Sequence, residues 1–263
     1  MGAAVGYRAS VMRVPKSVLT SARVAIGLVI AICLLGLSVT SEGTASAAAP
    51  PTSSVRQTLQ QSLSAAKGAG SVRITVEFFS GSTTGKVVQD SSVASGEQTV
   101  AIGKELASIV LVGGVAYISG NGQGMASYFG LPASLASRLA GRWISVPPTD
   151  SSFRAITANV TLASALDNVT PTRSLVMGKR STVNGQPVKS IAGAAPGGAG
   201  GLTLFVAAHG RPLPVEAAES SGAGTSAKGE VVTFTRWGES LHVATPQGAV
   251  PISTLEAASS ASG

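Results

Sequence analysis

The sequence predicts an α+β fold: a curved antiparallel half-barrel sheet of about eleven strands, with helices covering its concave face. Three observations carry that expectation. Val72, Ile74, Val76 and Phe78 alternate with Arg73, Thr75 and Glu77, the period of a strand with one buried face. Short apolar runs are separated by tight-turn pairs, Gly113-Gly114 and Asn184-Gly185 above all, so successive strands are joined as hairpins and run antiparallel. Helical spacing is confined to the start and the middle of the exported part. So many strands curl, and the helices can bury their apolar stripes only against one face of the curl. A curved sheet closed over by helices leaves a hollow, and an apolar lining suits that hollow to a lipid.

The elements follow in order. Val55, Leu59, Leu63 and Ala66 have the spacing of an amphipathic helix, capped by Ser53 or Ser54 and ended by Gly68. After the Val72–Phe78 strand come further strands at Gly85–Val93, Gln98–Gly103, Glu105–Val112 and Val115–Ser119. Met125–Ala140 reads as a second helical stretch that Pro132 restarts, and Arg142–Val146 returns to strand. Ser151–Leu166 reads as a third helix. A second strand series begins near Arg173 and includes the Arg180–Val183 and Pro187–Ile191 hairpin, Leu202 to Val206, Leu213–Glu219, Glu230–Arg236 and Leu241–Ala244.

The N-terminus places this domain across a membrane. Its only cysteine, Cys33, sits in its only long apolar run, Val24 to Val39, behind a basic, acid-free leader carrying Arg8, Arg13, Lys16 and Arg23. The run is about sixteen residues, short of the roughly twenty that span a bilayer comfortably. Ala45-Ser46-Ala47 is a small-x-small cleavage site, and Met12 offers an alternative start. Three readings stay open: a cleaved signal, a retained anchor, and lipidation at Cys33. Against lipidation, Ile32 is bulky where a lipobox has a small residue, and the apolar run continues past the cysteine. The expected organisation is residues 1–47 as signal or anchor, 48–255 as one domain and 256–263 as a disordered Ala/Ser/Gly tail.

Composition narrows the chemistry. Charged residues make up 12% of the chain, well below the roughly 25% of ordinary soluble domains. Without the leader, about fifteen basic and eleven acidic residues remain, too balanced and scattered for a nucleic-acid footprint. The only basic pair, Lys179-Arg180, reads as a solvated turn. His209 and His242 have no acid or second histidine at ligand spacing, so no metal or catalytic role is expected. No paired acids and no Gly-x-Ser-x-Gly elbow occur, so the chain is expected to be no enzyme and to need no cofactor. Gly120-Asn121-Gly122-Gln123-Gly124 lacks the spacing of a dinucleotide loop and reads as a flexible loop at the cavity mouth. Gly193 to Gly201 reads as another mobile loop, and Trp143 and Trp237 as core aromatics.

Four segments then resemble a known family in both wording and order. They are Gly114-Val115-Ala116-Tyr117-Ile118, Leu139-Ala140-Gly141-Arg142-Trp143-Ile144-Ser145-Val146, Val183-Asn184-Gly185-Gln186-Pro187-Val188 and Pro212-Leu213-Pro214-Val215. The chain resembles the LprG/LppX-type lipoproteins of mycobacteria, over roughly residues 53–252. The resemblance implies the fold of the lipoprotein carrier LolA, and binding of lipids or lipoglycans in an apolar cavity on their way to the outer envelope. The expectation is an exported, non-enzymatic envelope protein whose partners are a lipid or lipoglycan, a membrane surface and an envelope transport or acceptor protein. Ile74, Val76, Phe78, Val110, Val112, Ile118, Leu204 and Val206, with Leu135 and Leu139 from the covering helix, are expected to line the acyl-chain cavity. The alternative is a sensing or protein-interaction module on the same fold with a filled core.

Overall fold

Consecutive hairpins, not crossovers, build this molecule. The computed structural model describes residues 52–80, 83–196, 200–221 and 228–255; the expected leader, the Ala47 cleavage site, Cys33 and the 256–263 tail lie outside the described residues. After helix α1 (Thr52–Ala69), the strands β1 (Ser71–Ser80), β2 (Thr83–Ser92), β3 (Gly96–Ile102), β4 (Glu105–Val112) and β5 (Val115–Gly120) form a meander. Helices α2 (Gly122–Phe129) and α3 (Ala133–Arg138) lead to β6 (Ile144–Val146), and α4 (Phe153–Thr157) and α5 (Leu162–Asn168) follow. A second meander, β7 (Val176–Val183), β8 (Gln186–Ala194), β9 (Gly201–Ala207), β10 (Pro214–Ser221) and β11 (Lys228–Thr235), ends against the free edge of β1. The described strands make one curved, unclosed sheet in the order β12-β6-β5-β4-β3-β2-β1-β11-β10-β9-β8-β7, where β12 is Val250–Pro251. Every neighbouring pair is antiparallel except β12 and β6.

The turn chemistry explains why the register is firm. Gly113 and Gly114 take φ values of 59° and 74°, the mirror-image turn that matches strand twist and that side chains resist. Val112 therefore faces Val115, and Ile109 faces Ile118. Asn184 and Gly185, at 48° and 78°, do the same between β7 and β8.

Several boundaries differ from the sequence expectation. Twelve strands are described, and Leu241–Ala244 is not one of them; the last strand is the two-residue β12, lying parallel to β6. Leu241 and Val243 are only half-buried, so their alternation meets no second layer. Helix α1 runs through Gly68, and Gly70, at φ 82°, makes the exit. Ser54 lies inside the helix, its carbonyl accepting from Thr58 Oγ1 at 2.9 Å. The single helix expected over Ser151–Leu166 is two short ones, because Thr161 caps α5 through Ser164 N.

The expected glycine loop at 120–124 is instead the start of α2. Asn121 caps it, accepting from Gly124 N at 2.8 Å while its Nδ2 donates to Lys104 O at 2.6 Å. A Cβ on Gly124 would collide with the Leu106 carbonyl, so this glycine lets the helix lie directly on β4. Gly193 and Ala194 belong to β8, not to a loop.

The helices form two groups on the concave face. α1 packs with α5 over β1 and β8 to β11, around Val55, Leu59, Leu166, Ile191, Leu204 and Phe234. α2, α3 and α4 pack over β2 to β6, around Ile109, Ile118, Met125, Phe129, Leu139 and Ile144. The two cores meet near the middle of the sheet, and Val76 of β1 packs against both.

Candidate functional site

At that seam lies an apolar cavity of about 60 Å³. Its floor is the concave face of β1 to β4 and β11, through Ile74, Val76, Val87, Val100, Ala107, Ile109 and Val232. Tyr128 and Phe129 of α2 overhang one side, and Ala165 and Val169 at α5 overhang the other. The walls thus belong to different helix groups. The space is far below the roughly 300 Å³ at which ligand pockets begin, so a chain of several carbons does not fit it in this form.

Alternation brings a polar row into this apolar floor. Gln89 and Gln98 are opposed residues of β2 and β3, both buried on the same face as Val87 and Val100. Gln98 Nε2 donates to Gln89 Oε1 at 2.9 Å, and Gln89 Nε2 donates to Asn159 O at 2.7 Å and to Ser91 Oγ. Ser91 Oγ donates to Val160 O at 2.9 Å, and Asn168 Nδ2 donates to Asn159 Oδ1 at 2.9 Å. Each buried amide therefore has partners, and the row pins the link between α4 and α5 to the sheet. A Cβ on Gly96 would strike the Val160 carbonyl, which explains the glycine there.

Glu230 lines the cavity towards the β1–β2 turn, opposite Phe78 of β1 and Glu219 of β10. Burial, and then the negative charge of Glu219, pushes its carboxyl up to about 7 from 4.5; burial raises Glu219 as well. A raised carboxyl holds a proton in the folded state that the unfolded chain has already released. Its stabilising effect is complete below pH 4.5 and is lost as pH rises through about 7. Glu230→Gln is expected to remove this loss, so the variant gains about 3 kcal/mol over the parent near pH 8 and nothing near pH 4. Urea unfolding of both proteins across that range is the check; a constant difference would discount the titration.

Tyr128 also lines the cavity, and its buried hydroxyl has no hydrogen-bond partner among the described residues. Burial and the nearby charge of Glu105 hold its pKa above the usual tyrosine range. Unpaired, buried hydroxyls are uncommon.

Of the ten residues expected to line a cavity, Ile74 and Val76 line this one, and Val206 borders a separate groove beside α1. Phe78, Ile118, Leu135 and Leu139 pack in or against the core beneath α2 and α3, and Leu204 and Val206 lie in the core beneath α1. Val110 and Val112 are corrected: the inward residues of β4 are Ala107, Ile109 and Leu111, so the two valines point to the opposite face. The hairpin rule could have shown this, since a two-residue turn that faces Ile118 inward must face Ile109 inward with it. Gln89, Gln98, Tyr128, Glu230 and the α5 residues were not singled out from sequence.

Trp237 stacks on Phe234 with ring centroids 5.8 Å apart and donates from Nε1 to Pro214 O at 2.9 Å. Trp143 is half-buried near β12 and its carbonyl accepts from Val250 N, so neither ring lines the cavity. His209 and His242 are exposed. Among the described residues no group of His, Cys, Asp and Glu could hold a metal ion, and no helix is long and apolar enough to cross a membrane.

No family model and no curated protein matches the chain. Among solved structures it is similar to the lipoprotein LppX of Mycobacterium tuberculosis, with 18% identity over 73% of this chain and 100% of that one, at TM-score 0.47. LprF from Mycobacterium bovis shows 14% identity over 76% of this chain and 100% of that one, also at TM-score 0.47. A chain of the MucA/MucB complex of Pseudomonas aeruginosa shows 17% identity over 70% of this chain and 56% of that one, at TM-score 0.37. At these scores they are likenesses and nothing further.

Proposed function

We propose that the chain is an exported, non-enzymatic envelope protein that takes an acyl chain of a lipid or lipoglycan into the seam between its two cores. The supporting observation is the cavity's position: its apolar walls come from two helix groups that share the sheet. Burying each methylene contributes about 0.8 kcal/mol, so a dozen carbons give ample gross affinity before ordering costs. At one end the chain would meet Glu230 and at the other the paired amides, which are already satisfied by one another. The described form is the closed state of such a carrier, and its ligand selectivity is loose.

Every described element lies between Thr52 and Leu255, so a chain beginning at Ala48 retains all of them. Native mass spectrometry and organic extraction of that chain are expected to yield co-purifying lipid, with a rise in Tm on adding fatty acid or lipid. No lipid and no gain in Tm would leave the second reading, a protein-interaction module with a filled core. The small volume of the cavity favours that reading.

A further inference from the structure

Charge is segregated in this molecule. No acidic residue occurs between Asp167 and Glu216, a stretch that carries Arg173, Lys179, Arg180, Lys189 and Arg211. Helix α1, which packs against the same end of the sheet, has Arg56 and Lys67 and no acid. The ion pairs of the described residues, Arg73–Asp90, Lys86–Glu77 and Arg236–Glu239, all lie elsewhere.

Of these cations, Lys189 lines an open groove of about 750 Å³ between α1 and the β8–β9 strands, and Arg211 lies between two of its lining residues, Gly210 and Pro212. Thr58, Gln60, Gln61 and Ser64 line it from the helix and Lys189 from β8. Arg180 of β7 stands directly opposite Lys189, so both side chains share that face of the sheet. Arg211 is held at the same end by its Nη2 donating to Ala65 O at 2.8 Å, and Lys67 follows two residues later. Like charges placed directly opposite each other across a ladder destabilise it, and no acid from α1, β7, β8 or β9 offsets this pair.

A solvated, charged edge strand that resists aggregation accounts for Lys179 and Arg180 on β7. It does not account for Lys189, which is half-buried on the next strand inward, nor for the amides and hydroxyls across the groove. β7 and β8 also carry no aromatic residue that could stack on bases.

We propose that this groove and the β7 edge are the face by which the protein lies on an anionic bilayer. Lys189 and Arg180 take a lipid phosphate there, and Gln60, Gln61 and Ser64 meet the hydroxyls of its headgroup. The proposal stands whether or not the seam cavity takes a chain, because it rests on different residues, at the α1 end of the sheet.

The test is co-sedimentation of the chain beginning at Ala48 with vesicles of phosphatidylglycerol in phosphatidylcholine, and with phosphatidylcholine alone. Binding is expected only to the anionic vesicles, and to fall steeply with salt. Each cation near such a surface is worth about fivefold in partitioning, so the Arg180→Gln/Lys189→Gln double variant is expected to bind roughly 25-fold more weakly. The Arg138→Gln/Arg142→Gln variant, altered near α3, is expected to bind like the parent. Cooperative urea unfolding confirms that each variant is folded. Equal binding by parent and groove variant, equal binding to neutral vesicles, or binding only to soluble DNA or polyglutamate would overturn the proposal.

Discussion

Val76→Trp is expected to abolish acyl-chain uptake while leaving the twelve-strand sheet folded. Val76 sits where the two cores meet, packs against both and lines the cavity. It is also only half-buried, so an indole can fill the seam from the sheet side and still lean towards the open space. The free volume is about 60 Å³, so a ring in its place leaves no path for a chain. Overpacking costs about 1–3 kcal/mol, which a domain of this size tolerates. Ala165→Phe fills the same space from α5 and provides an independent variant should Val76→Trp fold poorly. The measurement is lipid recovered per mole of folded protein. Recovery equal to the parent in both variants would move the binding site away from the seam.

Gln89→Leu is expected to destabilise the protein by about 2–4 kcal/mol. The change is nearly isosteric, yet it removes a donor from Asn159 O and from Ser91 Oγ and an acceptor from Gln98 Nε2. Leaving such groups buried and unpaired costs more than the bonds themselves contribute. Gln98→Leu in addition removes one of the orphaned partners and is expected to recover part of the loss, so the two substitutions are not additive. A double-mutant cycle by urea denaturation measures the coupling. Additive losses would mean that the amides act separately and not as one row.

The strand alternation and the hairpins were legible because they depend on neighbours in sequence. Val72 to Phe78 alternate as a half-buried strand should, and Gly113-Gly114 and Asn184-Gly185 make the turns their composition demands. The face of β4 was misassigned because Ile109 to Val112 are apolar in succession, and period alone cannot orient such a run. The pairing of Ile109 with Ile118 orients it. Gln89 and Gln98 carry no local mark of burial, since a polar residue in a strand ordinarily faces water. Only the approach of the Asn159-Val160 link, about seventy residues further on, supplies the partners that let them be buried. The glycines at 120–124 read as a flexible loop for a similar reason. What Gly120 and Gly124 accommodate is the Leu106 carbonyl, which no local pattern reveals.

The sequence by itself determined that this is a curved antiparallel sheet with helices on one side, because propensity, alternation and turn type are local properties of the chain. It also determined the acid-free stretch from Asp167 to Glu216, which is a matter of counting. The tertiary structure alone decided that the helices form two groups with a cavity between them, that Glu230 faces Glu219 beside it, and that Lys189, opposite Arg180, lines a groove with α1. Each of these depends on which segments meet across long separations, and that is settled by burying the two apolar cores on one side of a single sheet.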